Sequence, residues 1–409
     1  MTLRGPTLLF CLERKKPYLR VPIVIMKVLL VCNNAYNKGN GLSVAVLNTL
    51  ERLKSAGIDA RLMAVRNPDP SGLQPDFPLE HFIFPLFEPV IRANGFCYAK
   101  IDRKRISEAI DWADVVHLEE AFPLEEYAVR IAAAKGKARV GSFHIFPQNI
   151  TANLDLGGIK PLSNAIMSLW NHSVYNKCSD IHCPTSTVSK YMEDHGTKAR
   201  LHVISNGIDI PAEPVVTTPL SPEGTIDILC IGRLSNEKSQ LTLLNAMKYS
   251  KYAHRIHIIF AGKGPKEKKY RRAAEKLLGK GVLKHRPDFG FFSHDELGEL
   301  SRKSYLYVHC AWVEVEGLSC LEAMHYGAVP VIAKNGLTGS ASFALQAENL
   351  FPAHDSRALA QRIDWWIEHP EERNKASQAS ADFARRFNIE NSTSALIRMY
   401  EKAIESNHA

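Results

Sequence analysis

Two glutamates flank a glycine in a segment whose residue types could bind a sugar and a phosphate. Glu314 precedes Gly317 in a loop, and Glu322 falls about one and a half turns into the helix that Gly317 can begin. The first-turn N–H groups at Gly317, Leu318 and Ser319 would bind phosphate oxygens, assisted by the helix dipole. Carboxylates suit sugar hydroxyls better than an anion, so we expect Glu314 to reach a sugar and Glu322 a ribose. The alternative is a surface helix whose acidic residues only complement its dipole.

A second group of candidates follows the apolar run at residues 228–231, which is typical of a buried strand. Arg233 offers a forked donor and Lys238 a compact charge, and they lie five residues apart on the loop beyond that run. Basic residues are usually solvated on the surface, but this position beyond a strand end favours a role in neutralising a diphosphate.

Glycines and a histidine give weaker signals in the first half of the chain. Gly39 and Gly41 lie between the first predicted strand and a helix predicted to begin near Leu42, where glycine permits close approach of the backbone to a phosphate. His144 directly follows another predicted strand, and His117, near the end of the preceding strand, is a poorer candidate. A lone histidine is more often structural than catalytic.

These candidates need a framework that brings loops together. From residue 26 onward, short apolar runs alternate with segments of helical periodicity, which indicates parallel sheets covered by helices. Strands are predicted at residues 28–32, 60–65, 115–118, 139–143, 180–183 and 201–204, and again at 226–231, 256–260, 305–309 and 329–333. The fold class is therefore α/β, with two tandem doubly wound parallel-sheet domains whose strand-end loops face one cleft.

The domain boundaries follow from composition. The chain has 409 residues, which suits two domains rather than one core. Residues 211–224 contain four prolines and break every period, so they are predicted to be the linker between a first domain at 26–210 and a second at 225–385. Residues 1–25 are interpreted as an upstream extension, and 386–409 as a terminal helical segment.

Composition narrows the partners and the location. A net charge of +8 favours anionic partners, but no Lys/Arg run with interleaved aromatic residues appears, so we expect no nucleic-acid partner. The eight cysteines include no C-x-x-C pair and are predicted to be reduced. No apolar stretch reaches the roughly 20 residues of a spanning helix. We expect a cytoplasmic protein. A peripheral position on the inner face of the cell membrane is the second location that is compatible with the sequence.

Several motifs together resemble those of the retaining family 4 glycosyltransferases. G-R-L-x-x-E-K stands at residues 232–238, and E-x(7)-E at 314–322 is followed by Gly-x-x-Pro-Val-Ile at 327–332. The segments Phe-Ala-Gly-Lys-Gly-Pro at 260–265 and Ser-Asn-Gly-Ile-Asp at 205–209 also match. The resemblance runs from about residue 26 to the end of the chain. It implies a GT-B fold of two Rossmann-like domains, an acceptor side on the first domain, and a terminal helix that crosses back to it.

The same resemblance implies roles for individual residues. Arg233 and Lys238 would bind the donor diphosphate, Glu314 the donor sugar and Glu322 the ribose, with His144 near that sugar. The residues expected to act in catalysis are Arg233, Lys238, Glu314 and His144; those expected to bind the donor are Gly39, Gly41, Arg233, Lys238, Gly262, Gly264, Glu314, Gly317, Leu318, Ser319 and Glu322. No D-x-D sequence occurs, so we predict that neither a metal nor another cofactor is needed.

The expected reaction is retaining transfer of a hexose from a nucleotide diphosphate sugar, with UDP the favoured nucleotide, to an acceptor hydroxyl. The chain is most similar in pattern to bacterial diacylglycerol alpha-glucosyltransferase-like members of the family. A lipid acceptor such as diacylglycerol or ceramide would also fit residues 82–91 and 159–177, whose apolar side chains could touch a membrane. The alternatives are a sugar acceptor in capsule or lipopolysaccharide assembly, and a non-catalytic protein that binds sugar nucleotides.

Overall fold

The computed structural model describes residues 26–37, 41–85, 88, 91, 97–153, 159–210, 217 and 219–408. The predicted extension at 1–25, half of the predicted linker (211–216 and 218) and the candidate Gly39 lie outside these residues. The described residues form two parallel sheets, each covered by helices, and a two-stranded antiparallel pair. None of the described helices is both long enough and apolar enough to cross a membrane.

The first sheet has seven parallel strands in the order β3-β2-β1-β6-β7-β8-β9. Its central strands are largely apolar, because helices cover both faces; Val28, Leu29 and Leu30 in β1 are all fully buried. The strands of this half are β1 (Lys27–Val31), β2 (Asp59–Val65), β3 (Phe77–Leu79), the antiparallel pair β4 (His81–Phe82) and β5 (Tyr98–Ala99), β6 (Val115–Leu118), β7 (Ala138–Ser142), β8 (Asp180–Cys183) and β9 (Arg200–Val203).

The second sheet has six parallel strands in the order β12-β11-β10-β13-β14-β15. Its strands are β10 (Ile226–Ile231), β11 (Ile256–Ala261), β12 (Asp288–Gly290), β13 (Leu306–His309), β14 (Val329–Lys334) and β15 (Leu350–Pro352). The order of the strands reverses between β1 and β6 in the first sheet and between β10 and β13 in the second, and ligands bind at such points in doubly wound folds. The two tandem parallel-sheet domains predicted from the sequence are confirmed.

The helices alternate with the strands, as right-handed crossovers between parallel strands require. Local capping fixes where several begin; Asp102, Thr185 and Ser293 each accept a hydrogen bond from a first-turn N–H. The described helices are α1 (Gly41–Ser55), α2 (Arg103–Trp112), α3 (Pro123–Ala134), α4 (Pro147–Asn153), α5 (Lys160–Ser173), α6 (Ser186–Asp194), α7 (Leu241–Ala246), α8 (Glu267–Gly279), α9 (His294–Lys303), α10 (Leu318–His325), α11 (Ser356–Glu368), α12 (Pro370–Ala384) and α13 (Ile389–His408).

The last helix, α13, packs against the first sheet although α12 packs in the second half. Its buried residues Leu396, Met399, Tyr400 and Ala403 join the apolar cluster that contains β1. The chain passes between the halves beside Ile208, whose N–H donates to the carbonyl of Phe387 at 2.8 Å. Contacts of α13 with the first sheet therefore tie the end of the chain to the first half.

Candidate active site

A cavity of about 340 Å³ lies between the two sheets, where their strand-end loops face each other. This volume is in the range of small-molecule sites. The cavity combines eight residues predicted from the sequence with neighbours that were not predicted. Its lining contains the predicted residues Gly41, His144, Arg233, Lys238, Glu314, Gly317, Leu318 and Ser319, together with Leu42, Ala45, Ile145, Asn149, Asn206, Glu237, Val315 and Glu316.

Lys238 and Glu314, which both line this cavity, form an ion pair. Each follows one of the two strands at which the second sheet reverses its order, so the fold brings them together across 76 residues of sequence. Burial raises the pKa of the Glu314 carboxyl, but the charge of Lys238 and a hydrogen bond from His309 outweigh it and hold that pKa at about 2. The pair is therefore fully ionised at neutral pH.

His309, the last residue of β13, holds Glu314 from the other side. Its Nε2 lies 3.1 Å from the same Glu314 oxygen that Lys238 contacts, and its Nδ1 lies 3.1 Å from the hydroxyl of Tyr307. A carboxylate can only accept hydrogen bonds, so Nε2 of His309 carries a proton. The Tyr307 hydroxyl in turn lies 3.1 Å from the hydroxyl of Ser319. Glu314 is thus fixed by two donors in a cavity that it also lines.

The amino end of α10 faces the cavity as the sequence predicts. Gly317 caps this helix with φ 91° and ψ 53°, a left-handed conformation that favours glycine. A Cβ there would lie 2.9 Å from Cβ of Ser340, so a side chain would also be crowded. The N–H groups of Leu318 and Ser319 belong to the first turn, where a helix offers no internal acceptor. The geometry provides an anion-binding helix end beside Lys238.

The loop that carries Arg233 is held by close backbone contacts with the loop after β11. Leu234 N donates to the carbonyl of Lys263 at 3.1 Å. A Cβ on Gly262 would lie 2.2 Å from the Gly232 oxygen, and one on Gly264 would lie 2.3 Å from the Leu234 oxygen. These two predicted glycines do not line the cavity; they let a second loop pack under the one that presents Arg233.

Glu322 and His117, two further sequence candidates, also lie away from the cavity lining. Glu322 is on the second turn of α10, and burial raises the pKa of its carboxyl. His117 is buried in the first sheet, with Nδ1 2.7 Å from the hydroxyl of Tyr400 and Nε2 2.7 Å from that of Ser142. The lower weight given to His117 from the sequence agrees with this position.

His144 reaches the cavity from the first domain. It follows β7, and its side chain is 7% exposed. Its Nε2 lies 2.9 Å from a carboxylate oxygen of Glu119, which follows the neighbouring strand β6. Adjacent parallel strands place their carboxyl ends side by side, which explains how residues 25 apart meet here. The first domain therefore contributes an imidazole, backed by a buried carboxylate.

Glu316 connects the two domains across the cavity. Its carboxylate, in the loop before α10, accepts hydrogen bonds from the hydroxyl of Ser205 and from Asn206, whose Nδ2 lies at 2.6 Å and whose backbone N lies at 3.2 Å. The neighbouring Val315 carbonyl accepts from the Thr185 hydroxyl at 3.0 Å. Although its partners are all donors, burial dominates and raises the pKa of Glu316 to about 7. This carboxyl therefore changes its charge near neutral pH.

Replacing Glu316 by glutamine is expected to change how thermal stability depends on pH. A carboxyl whose pKa rises from 4.5 to about 7 on folding binds more protons in the folded state, so its contribution to stability falls as pH increases through this interval. The wild-type minus Glu316→Gln difference in unfolding free energy should therefore fall by up to about 3 kcal/mol between pH 4.5 and pH 8. Thermal unfolding of both proteins across this range measures it.

The matched control for that prediction is Glu401→Gln on the exposed face of α13. Its difference from the wild type should stay level over the same pH range. A level difference for Glu316→Gln as well would contradict the charge change assigned to Glu316.

Sequence reasoning missed four residues that shape the cavity: Glu119, Asn206, His309 and Glu316. Asn206 lies in a segment that matched the family pattern, and His309 ends a predicted strand, so each carried a positional signal. Glu119 and Glu316 stand next to other glutamates or motif residues, and their sequence neighbours do not indicate their partners. Their partners come from distant segments, which only the packed strands bring within hydrogen-bonding distance.

Two family models match the chain, one on each half. The model described as Glycosyltransferase Family 4 matches residues 39–211, and the model described as Glycosyl transferases group 1 matches residues 217–383. A curated relative, the GDP-mannose-dependent alpha-mannosyltransferase of Corynebacterium glutamicum, is 25% identical over 274 residues. That match covers 63% of this chain and 62% of the relative, which is less than two thirds of the relative's length.

Solved structures resemble the whole described fold. Sucrose-phosphate synthase from Thermosynechococcus elongatus superposes with a TM-score of 0.68 at 14% identity, over 93% of this chain and 100% of that chain. HepE of Anabaena, in complex with UDP and glucose, superposes with a TM-score of 0.65 at 16% identity, over 92% and 100% of the two chains. At these identities the likeness is one of fold, and it confirms the predicted arrangement of two domains.

Proposed function

Because this chain belongs to the GT-B glycosyltransferases of family 4, we propose that it transfers a hexose from a nucleotide diphosphate sugar to an acceptor hydroxyl, with retention of configuration. The observation that supports this most strongly is the Lys238–Glu314 ion pair beside the amino end of α10, in a cleft between two domains. It puts a cation, a carboxylate and an anion-binding helix end within one cavity. These are the groups that a diphosphate and its attached sugar need.

On donor binding, the ion pair would separate, so that Lys238 contacts the diphosphate and Glu314 contacts the sugar. A diphosphate offers Lys238 oxygens that compete with Glu314, and the first-turn N–H groups of α10 would hold the same anion. Glu314 would then be released from Lys238 while His309 still orients it, and could accept hydrogen bonds from sugar hydroxyls. Arg233, on the loop that also carries Lys238, would contribute a second cation.

In the transfer step, the bond between the sugar C1 and the diphosphate oxygen breaks and a bond from C1 to the acceptor oxygen forms on the same face. The acceptor proton passes to the departing diphosphate, so charge and atoms balance without a separate base. Lys238, Arg233 and the α10 amino end stabilise the charge that develops on that leaving group. This assignment makes the cations more important in the transition state than in the ground state.

Retention through a covalent intermediate would need a carboxylate free to act as a nucleophile, as in hydrolases whose paired carboxyl groups lie about 5 Å apart. Of the three carboxylates among the described residues that line the cavity, Glu314 is held by Lys238 and His309 and Glu316 by Ser205 and Asn206. Glu237 accepts from the hydroxyl of Ser235 on one of its oxygens. Those contacts favour same-face attack over a covalent route. We further propose that the reaction needs no metal, since cationic side chains occupy the position where the diphosphate would be neutralised.

For the donor, we propose a UDP-hexose. The Corynebacterium relative is described as dependent on GDP-mannose, whereas the Anabaena structure contains UDP and glucose, so both nucleotides belong in the test. The ribose would reach Glu322 on α10, where burial raises the pKa of the carboxyl. Its oxygens could accept hydrogen bonds from ribose hydroxyls.

For the acceptor, we propose a membrane lipid such as diacylglycerol or ceramide, reached by peripheral contact of the first domain. Ile83 and Leu169 are each 61% exposed. Ile83 directly follows β4, and Leu169 is on α5. A run of aromatic rings connects these two elements, from Phe82 through Phe84, Tyr98 and Phe122 to Trp170, with centroid separations of 4.8, 5.6, 5.3 and 5.9 Å. The helix with Leu169, α5, contains no acidic residue. Exposed apolar residues without nearby acids on that helix suit an anionic membrane surface.

The test is an assay of nucleotide diphosphate release with a chelator present. UDP-glucose, UDP-galactose and GDP-mannose are each incubated with the full chain, alone and with vesicles that contain diacylglycerol or ceramide. We expect release with one UDP-sugar, insensitive to chelator and increased by lipid. The Leu169→Ser variant should lose the lipid-dependent increase, while Leu73→Ser, an exposed leucine distant in sequence from α5, should retain it.

Other outcomes redirect the proposal. Release stimulated only by soluble saccharides would assign the chain to capsule or lipopolysaccharide assembly. Release with GDP-mannose alone would overturn the choice of nucleotide, and sensitivity to chelator would overturn metal independence. No release from any donor, combined with donor binding measured by calorimetry, would identify a non-catalytic sugar-nucleotide-binding protein.

A further inference from the structure

Glu119, which follows β6, is a buried carboxylate that touches one cavity residue. Its side chain is 2% exposed, and its Oε2 lies 2.9 Å from Nε2 of His144. Its other oxygen, Oε1, has no hydrogen-bond partner among the described residues although it is fully buried. Burial raises the pKa of this carboxyl, but the surrounding imidazoles, including the hydrogen bond from His144, bring it below its usual value. A buried carboxylate oxygen without a partner calls for a functional explanation.

His117 is the neighbour that could have satisfied that oxygen, since its Nδ1 lies 3.5 Å from Oε1. A chain of hydrogen bonds decides whether it does. At the far end, Nε2 of His182 lies 2.6 Å from the carbonyl of Ile204, which can only accept, so this Nε2 carries a proton. Burial lowers the pKa of His182 to about 3, so the ring is neutral and its Nδ1 is an acceptor.

The direction of each remaining bond follows. The Ser142 hydroxyl lies 2.9 Å from Nδ1 of His182 and must donate to it, so the Ser142 oxygen accepts from Nε2 of His117 at 2.7 Å. Burial also lowers the pKa of His117, so its Nδ1 is unprotonated and accepts from the Tyr400 hydroxyl at 2.7 Å. His117 therefore has no proton to give to Glu119. Among the described residues, His144 is therefore the one side chain that donates a hydrogen bond to the Glu119 carboxylate.

We infer that Glu119 is a positioning residue that keeps a proton of His144 on Nε2 and leaves Nδ1 to accept a hydrogen bond from a ligand in the cavity. This rests on the proposed function in one respect: the group that Nδ1 would accept from is a hydroxyl of the transferred sugar. His144 and Glu314 both line the cavity, so an acceptor on His144 adds a second point of orientation for the sugar ring. Tyr400, on α13, serves the same arrangement by occupying His117.

The tautomer itself is measurable without any assay of activity. In protein labelled with ¹⁵N-histidine, long-range ¹⁵N–¹H correlation spectra distinguish a ring protonated at Nε2 from one protonated at Nδ1. The His144 signal is assigned by its loss in His144→Ala. We expect the Nε2–H tautomer in the wild type, and a shift towards Nδ1–H in Glu119→Gln, whose amide N–H can donate to Nε2. A wild-type His144 protonated on Nδ1 overturns the inference, whether or not any variant folds.

Kinetics then separate positioning from a merely structural role. We expect Glu119→Gln to lower kcat at least about tenfold with less than about threefold change in KM, because the effect lies on orientation rather than binding. Combined with His144→Ala it should add nothing, so the double variant should match His144→Ala alone. Multiplicative effects would overturn the inference.

The adjacent buried carboxylate supplies the control. Glu120 accepts hydrogen bonds from the backbone and side chain of Asn33 instead of from His144. Glu120→Gln should leave the His144 tautomer unchanged, and a tautomer shift in that variant would overturn the specific assignment to Glu119. If the chain proved to transfer no sugar, the spectra would still test the tautomer, so failure of the proposed function and failure of this inference are distinguishable.

Discussion

Lys238→Met is expected to lower kcat about 100-fold to 1,000-fold, the range seen when a preorganised donor to a developing negative charge is removed. Methionine keeps an unbranched side chain that is one atom shorter, and it removes the ammonium group with its charge and hydrogen-bond donors. In the folded protein the ammonium group of Lys238 contacts Glu314 and lies beside the amino end of α10, where the diphosphate would leave. Because the contact with the leaving group strengthens as the bond breaks, kcat should fall more than donor affinity. Steady-state release of nucleotide diphosphate, with donor binding by calorimetry, measures both.

Lys334→Met is the matched control, since Lys334 is an exposed lysine at the end of β14 in the same domain. Its kcat should equal that of the wild type within error.

The Lys238→Met protein should also acquire a new pH dependence. Without Lys238, burial would raise the pKa of Glu314 above its present value of about 2, so its charge would be lost as pH falls into the acidic range. Equal losses in affinity and kcat would contradict the proposed transition-state role.

Glu314→Gln is expected to lower kcat about 100-fold while nucleotide diphosphate binds about tenfold more tightly. Glutamine keeps the shape of the side chain, but it cannot pair with the charge of Lys238. In the wild type, the diphosphate must compete with Glu314 for that cation. Removing the competitor favours the anion and removes the carboxylate that would orient the sugar. Product-inhibition constants and kcat, measured on the same preparation, give the two opposite changes.

Glu316→Gln distinguishes the two glutamates of the loop. Glu316 is two residues from Glu314, but it contacts Ser205 and Asn206 in the other domain. We expect its replacement to lower kcat by less than about tenfold, through the fit of the domains rather than through the sugar. If Glu314→Gln left turnover unchanged while Glu316→Gln abolished it, the roles assigned to this loop would be reversed. Glu314→Gln leaves Lys238 without its carboxylate partner, so thermal unfolding of both variants checks that lost stability does not explain the lower kcat.

The positions of most strands along the chain and the motifs that follow them were accessible from the sequence, because buried parallel strands are short, largely apolar and followed by turns. The runs at 228–231 and 305–309 identified β10 and β13, and the polar residues beyond them had to meet once both strands lay in one sheet. The three-residue edge strands β3, β12 and β15 were missed. Strands that short carry little hydrophobic pattern, and pairing with a neighbour forms them.

The class of fold and half of the residues that line the cavity could be predicted from the amino-acid sequence, since these depend on local period, on turn residues and on which side chains follow each strand. Which atoms meet depends on how the strands and domains pack. This packing pairs Lys238 with Glu314, turns Glu316 towards the first domain and puts Glu119 behind His144. The paired residues lie 25 positions apart for Glu119 and His144, 76 for Lys238 and Glu314, and 110 for Glu316 and Asn206. Their geometry comes from sheet order and domain packing, and no local pattern encodes it.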